Sequence, residues 1–80
     1  MTAGLDIGDK CSYLCLIDQE SGEVVEEGRL RTTPPEALRR RFGSEQPMRI
    51  AIEAGTHSPW VSRVLEECGQ AVLVANVLAN

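Results

Sequence analysis

Eighty residues carrying 12 acidic and 8 basic side chains, with a net charge of −4, suit one small domain with a thin core. That balance excludes a broad basic field, so any nucleic-acid contact has to be local or supplied by other parts of a longer protein. Cys11, Cys15 and Cys68 lack CxxC or Cys/His spacing, which argues against a disulfide framework or zinc site, and no stretch reads as a membrane span or secretion signal; a reducing, cytoplasmic setting is expected.

Ala3 to Gly8 form a short apolar run broken by one acid, and Gly8-Asp9-Lys10 has the composition of a tight turn into Cys11–Ile17, which predicts a hairpin. Cys11 and Cys15 fall on one side of the second strand and read as small buried hydrophobes. A turn signal at Glu20 to Glu23 precedes Val24-Val25 and the alternating Gly28 to Thr32, predicting a third, antiparallel strand.

Thr33 as N-cap, Pro34 at the first helical position and Glu36 three residues after the cap predict a capping box. Leu38 and Phe42 share one face of that helix, Arg39 to Arg41 lie mostly on the other, and Gly43 ends it. The three arginines read as a solvated face rather than as a nucleic-acid footprint. Met48 to Glu53 reads as a short buried strand and Ala54 to Ser58 as a loop. Ser58-Pro59 opens a second helix with the apolar stripe Trp60, Val61, Val64, Leu65 and Cys68, stopped by Gly69. Ala71 to Val77 is nearly all apolar, the pattern of a strand inside a parallel sheet with both faces covered.

The class is therefore α/β, in the order β-β-β-α-β-α-β. Right-handed crossovers place the later strands beside the first, which predicts a mixed five-stranded sheet of order 3-2-1-4-5 with strand 2 antiparallel to the others.

Side-chain alternation puts Leu5 and Ile7 on one face of strand 1, and Gly4, Asp6 and Gly8 on the other. A core strand spends such positions on Val or Ile, because an unpaired buried carboxylate is costly and glycine weakens a strand. Strand 4 repeats the pattern, with Ile50 and Ile52 facing one way and Ala51, Glu53 and Gly55 the other. Two acids then share a cleared surface near strand ends, where open α/β sheets bind ligands. Oxygen-only ligation by Asp6 and Glu53 suits Mg²⁺ or Mn²⁺ and phosphoryl chemistry, with carboxylates roughly 4–7 Å apart. The alternatives are a turn-proximal Asp6 satisfied by backbone N–H groups and a strand-end Glu53 paired to an arginine such as Arg49. His57 reads more readily as a solvent-facing loop residue than as a ligand contact. Asp9 and Lys10 read as hairpin residues, and Trp60 as packed on the sheet rather than stacked on a base.

Four segments, Gly4-Leu-Asp-Ile-Gly-Asp-Lys10, Gly22-Glu-Val-Val25, Arg49-Ile-Ala-Ile-Glu-Ala-Gly-Thr-His-Ser-Pro-Trp60 and Val72-Leu-Val-Ala-Asn-Val-Leu78, resemble the N-terminal domain of DEDD-type insertion-sequence transposases, relatives of the Piv-type DNA invertases. The resemblance covers essentially the whole chain. It implies a RuvC-like, ribonuclease-H-like fold of which residues 1–80 form the N-terminal part. It also implies Asp6 and Glu53 as the first two catalytic, metal-ligating acids. Two further aspartates would lie on a later helix beyond Asn80, and a C-terminal domain would carry a serine used in strand exchange. The implied activity is Mg²⁺-dependent DNA recombination guided by a structured RNA. Residues 1–80 alone are then expected to bind Mg²⁺ or Mn²⁺ weakly and not to cut DNA.

Two other readings stand beside this one. The Asp-Ile-Gly opening also resembles the first phosphate loop of sugar kinases and actin-like ATPases, which continue with Thr or Ser where this chain has Asp9. A non-catalytic interaction module, with Asp6 and Glu53 vestigial, is the other. Because the later helices of the resembled fold lie past strand 5, one sheet face is expected to expose apolar surface and to drive self-association.

Overall fold

Two tight turns make the first three strands a meander. In the computed structural model, which describes residues 1–76, β1 (Thr2–Asp6), β2 (Cys11–Ile17) and β3 (Val24–Arg31) run antiparallel to one another in sequence. A side chain on Gly8 would collide with the Cys11 carbonyl oxygen, so the first turn itself demands glycine. In the second turn the Asp18 carboxylate accepts from the Glu20 N–H at 2.9 Å, the Ser21 hydroxyl accepts from the Glu23 N–H at 3.2 Å, and Gly22 adopts φ +74°. These short side chains replace backbone partners where the chain reverses.

Helix α1 (Pro35–Phe42) starts one residue later than a capping box on Thr33 requires. Pro34 occupies the N-cap, and no side chain caps the helix. Pro35 is the cause: a proline ring forces the residue before it out of the helical region, and Pro34 sits extended at φ −73°, ψ 165°. The Thr33–Pro34 peptide is cis. Leu38 and Phe42 are fully buried, as their spacing predicts. Gly43 stands at the C-cap in right-handed geometry, so it ends the helix without the left-handed turn. Arg39 pairs with Glu67 of the second helix, and Arg41 with Glu26 of β3 and with Glu45. Arg39 and Arg40 stay exposed, as a solvated face predicts, while Arg41 is partly covered between its two acids.

β4 (Arg49–Glu53), α2 (Ser58–Glu67) and β5 (Ala71–Ala75) follow. Gly69 turns the chain out of α2 at φ +86°, the left-handed stop its position predicts. The sheet has the order β3-β2-β1-β4-β5, with β1, β4 and β5 parallel and β2 antiparallel to its neighbours. This mixed open α/β sheet is the one the sequence predicts.

Both helices pack on one face. Ala3, Leu5, Leu14, Leu16, Ile50 and Ile52 from the strands meet Leu38, Phe42, Val61, Val64 and Leu65 from the helices in one core cluster. Polar groups inside this layer are paired. Ser12 and Thr32 share a hydrogen bond between hydroxyls. The buried Gln70 side chain accepts from the Met48 N–H at 2.9 Å and donates to the Phe42 carbonyl at 3.3 Å, tying the end of α1 to the start of β4.

The opposite face has no covering helix among the described residues. β5 is the edge strand that the order 3-2-1-4-5 predicts, with Leu73 66% and Val74 43% exposed. Its apolar run suits burial on both faces, yet the described residues cover only one. Val77, the expected end of that strand, lies outside the described residues. The expectation for the cysteines is corrected on the same ground. Cys11 is exposed and Cys15 and Cys68 half-buried, all as free thiols, because Cys11 and Cys15 stand on the uncovered face. No helix among the described residues is long and apolar enough to cross a membrane.

Candidate acidic site on the uncovered sheet face

Cross-strand partners point to the same side of a sheet, so the register fixes what stands together. Gly4 pairs with Cys15 on one flank and Ala51 on the other, and Ala51 pairs with Leu73. This rank is a floor of small side chains ending in an exposed leucine. In the next rank Arg29 pairs with Tyr13 and Tyr13 with Asp6, while Glu53 pairs with Ala75. The β1–β4 ladder stops at Leu5 and Ile52, one residue before the two acids.

Asp6 and Glu53 are both exposed, and both line the same two hollows. The larger, about 510 Å³, opens onto the floor of Gly4, Cys15, Ala51 and Ala75, with Tyr13 at its side. The smaller, about 270 Å³, lies beyond the strand ends between Ile7, Asp9 and residues 54–58. A Cβ built on Gly4 would meet nothing within 4 Å. Packing inside the protein therefore does not account for a glycine in the middle of β1, where it costs strand stability.

Neither alternative for the acids is realised. Asp6 accepts no hydrogen bond from a neighbouring turn, and Glu53 forms no ion pair with Arg49, among the interactions of the described residues. Arg49 shares the face of Glu53 but sits four residues back along an extended strand, roughly 13 Å away at ~3.3 Å per residue.

The loop after Glu53 is shaped from within. The Ser58 hydroxyl donates to the Gly55 carbonyl at 2.9 Å and accepts from the Gly55 N–H at 3.0 Å. Ser58 is the first residue of α2, and His57 is its N-cap without a side-chain cap bond. His57 is not the solvent-facing loop residue its position suggests. Its Nε2 lies 2.8 Å from Asp9 Oδ1, and its Nδ1 accepts from the Trp60 indole N–H at 3.0 Å. Asp9 is accordingly more than a hairpin residue. Trp60 packs against the core, as expected, and also holds the imidazole. The signal in sequence was faint: His57 and Trp60 are three apart on one helical turn, but Asp9 is 48 residues away.

The donor chemistry fits a hard divalent ion in part. Two unpaired carboxylates on a cleared surface are oxygen ligands of the kind Mg²⁺ and Mn²⁺ take, with water completing the shell. Among the described residues no group of three or more His, Cys, Asp or Glu side chains is assembled to hold an ion, and Asp9, the third acid at the cleft, is turned to His57. No protein-family model matches the chain, and the search of curated proteins returned no match.

Proposed function

We propose that Asp6 and Glu53 are the metal-holding pair of a divalent-ion-dependent phosphodiester cleavage and strand-transfer site. On this reading the chain is the N-terminal part of a ribonuclease-H-like domain of a DEDD-type transposase, a cytoplasmic enzyme. The observation that carries it is the placement of two unpartnered carboxylates on neighbouring parallel strands, on the same uncovered face, beside a floor of Gly4 and Ala51. Continuing the β1–β4 register by one residue puts the two backbones about 4.8 Å apart, which suits carboxylates sharing one ion.

When bound, Mg²⁺ or Mn²⁺ supplies charge neutralisation on the phosphate and an activated oxygen nucleophile. Asp6 and Glu53 orient that centre, and Gly4 clears room for the phosphate backbone. The resemblance assigns two further aspartates to the site; no aspartate follows Asp18 in these 80 residues. DNA, with a structured RNA as guide, is the partner this reading gives the full-length protein. The uncovered face and the uncharged β5 edge support self-association as well.

The test is a Mn²⁺ titration of the purified chain with Asp6→Asn and Glu53→Gln controls, followed by incubation with branched or duplex DNA. Weak saturable binding lost in either variant, and no cleavage, are expected. Absence of saturable binding, or binding indifferent to both substitutions, overturns the metal pair. Cleavage abolished by Asp6→Ala would show that two acids suffice.

A further inference from the structure

The β1–β4 ladder ends at Leu5 and Ile52, so no bond of that ladder joins the two acids, each of which is held from its other side, Asp6 opposite Tyr13 and Glu53 opposite Ala75. Two segments follow the acids, residues 7–10 after Asp6 and 54–57 after Glu53. These segments are joined at the rim of the smaller cleft by the hydrogen bond between Asp9 and His57. We infer that Asp9 and His57 form a clip that fixes the separation of Asp6 and Glu53, with Trp60 as its anchor. The inference rests on the metal-pair reading of those two acids and assigns His57 and Asp9 as positioning residues for it.

The chemistry of the three groups gives the clip a definite direction. An indole N–H can only donate, so the 3.0 Å contact makes His57 Nδ1 an acceptor. Nε2 then carries the imidazole proton and donates it to Asp9 Oδ1 at 2.8 Å. The ring stands edge-on to Trp60, with centroids 6.0 Å apart and planes at 89°, and Trp60 packs against the core. The path runs from the core through Trp60 and His57 to Asp9 and the β1–β2 turn. The Asp9 side chain is 91% exposed, so packing gives it no other task. Orientation of ligating groups by such outer hydrogen bonds is the general means by which a site holds its geometry.

Asp9→Ala and Asp9→Asn separate the clip from simple charge. A side-chain amide oxygen still accepts from Nε2–H, whereas alanine cannot. Asp9→Ala is expected to speed hydrogen exchange across residues 54–57, in the loop that does not carry the substitution, and to weaken Mn²⁺ binding about tenfold. Asp9→Asn is expected to leave exchange unchanged and Mn²⁺ binding within about twofold of wild type, since one exposed charge is well screened. Equal losses of Mn²⁺ affinity in both variants would mean that Asp9 acts by charge or as a ligand, and would overturn the inference. Unchanged exchange at 54–57 in Asp9→Ala would also overturn it. A wild-type chain that binds no Mn²⁺, yet loosens at 54–57 in Asp9→Ala, refutes the metal-pair reading and leaves the clip standing.

Discussion

Leu5 and Ile52 are cross-strand partners, the last pair of the β1–β4 ladder, and each is followed by a carboxylate. The leucine and isoleucine belong to the core, and the two carboxylates have no side-chain partner among the described residues. Asp6→Asn and Glu53→Gln are therefore expected to behave unlike ordinary destabilising substitutions. Each should weaken Mn²⁺ binding about tenfold while leaving the melting temperature equal to or above that of wild type, because a like-charge neighbour is removed and no bond is lost. Calorimetric titration and thermal unfolding of the same samples check both halves. A fall in melting temperature would show that the carboxylates serve the fold.

Phe42 is fully buried between α1 and the sheet. Phe42→Ala is expected to cost about 3–5 kcal/mol, a large share of the roughly 5–15 kcal/mol that holds a small domain together. Leu73→Ala, on the uncovered face, should cost less than about 0.5 kcal/mol. Urea unfolding of both variants reads the contrast directly, and similar costs would contradict the one-sided core.

Gln70 answers the Met48 N–H, which has no other partner among the described residues, and adds a bond to the Phe42 carbonyl, which also accepts from the Glu45 N–H at 3.3 Å. Gln70→Leu keeps the bulk and removes both bonds, at an expected cost of about 1–3 kcal/mol. The urea midpoint should fall with little change in the denaturant slope. An unchanged midpoint would mean that water replaces the amide.

Tyr13, Leu73 and Val74 leave apolar surface on one face and along one edge of the sheet. The wild-type chain is expected to self-associate as its concentration rises, and Leu73→Glu to shift it toward monomer without loss of stability. Sedimentation velocity over a concentration series is the measurement. A strict monomer at high wild-type concentration would dismiss this surface as an interface.

The sheet order was legible because turn residues, helix stops and apolar runs leave few other right-handed topologies, and the alternation around Asp6 and Glu53 already placed both acids on one face. Local chemistry misled where a neighbour competed. Thr33 has the side chain of a cap, but two successive prolines move the helix start past it. The β5 run reads as a strand covered on both faces because an apolar sequence records what could cover it, not what does; among the described residues one face is covered. The Asp9–His57 bond and the Gln70 clamp join residues 48 and as many as 28 positions apart, and no periodicity encodes such pairs.

Trp60 is the chain's one tryptophan and His57 its one histidine, and they are hydrogen-bonded to each other. Intrinsic emission of this protein therefore comes from the rim of the acidic cleft rather than from the middle of the core. An excited indole has a large dipole, so its colour follows the partner and the polarity at its N–H. A change at the 54–57 loop that breaks the Trp60–His57 bond is therefore expected to shift the spectrum. The wild-type sequence thus carries its own optical gauge of the cleft, with no label to add and no second fluorophore of its kind to subtract.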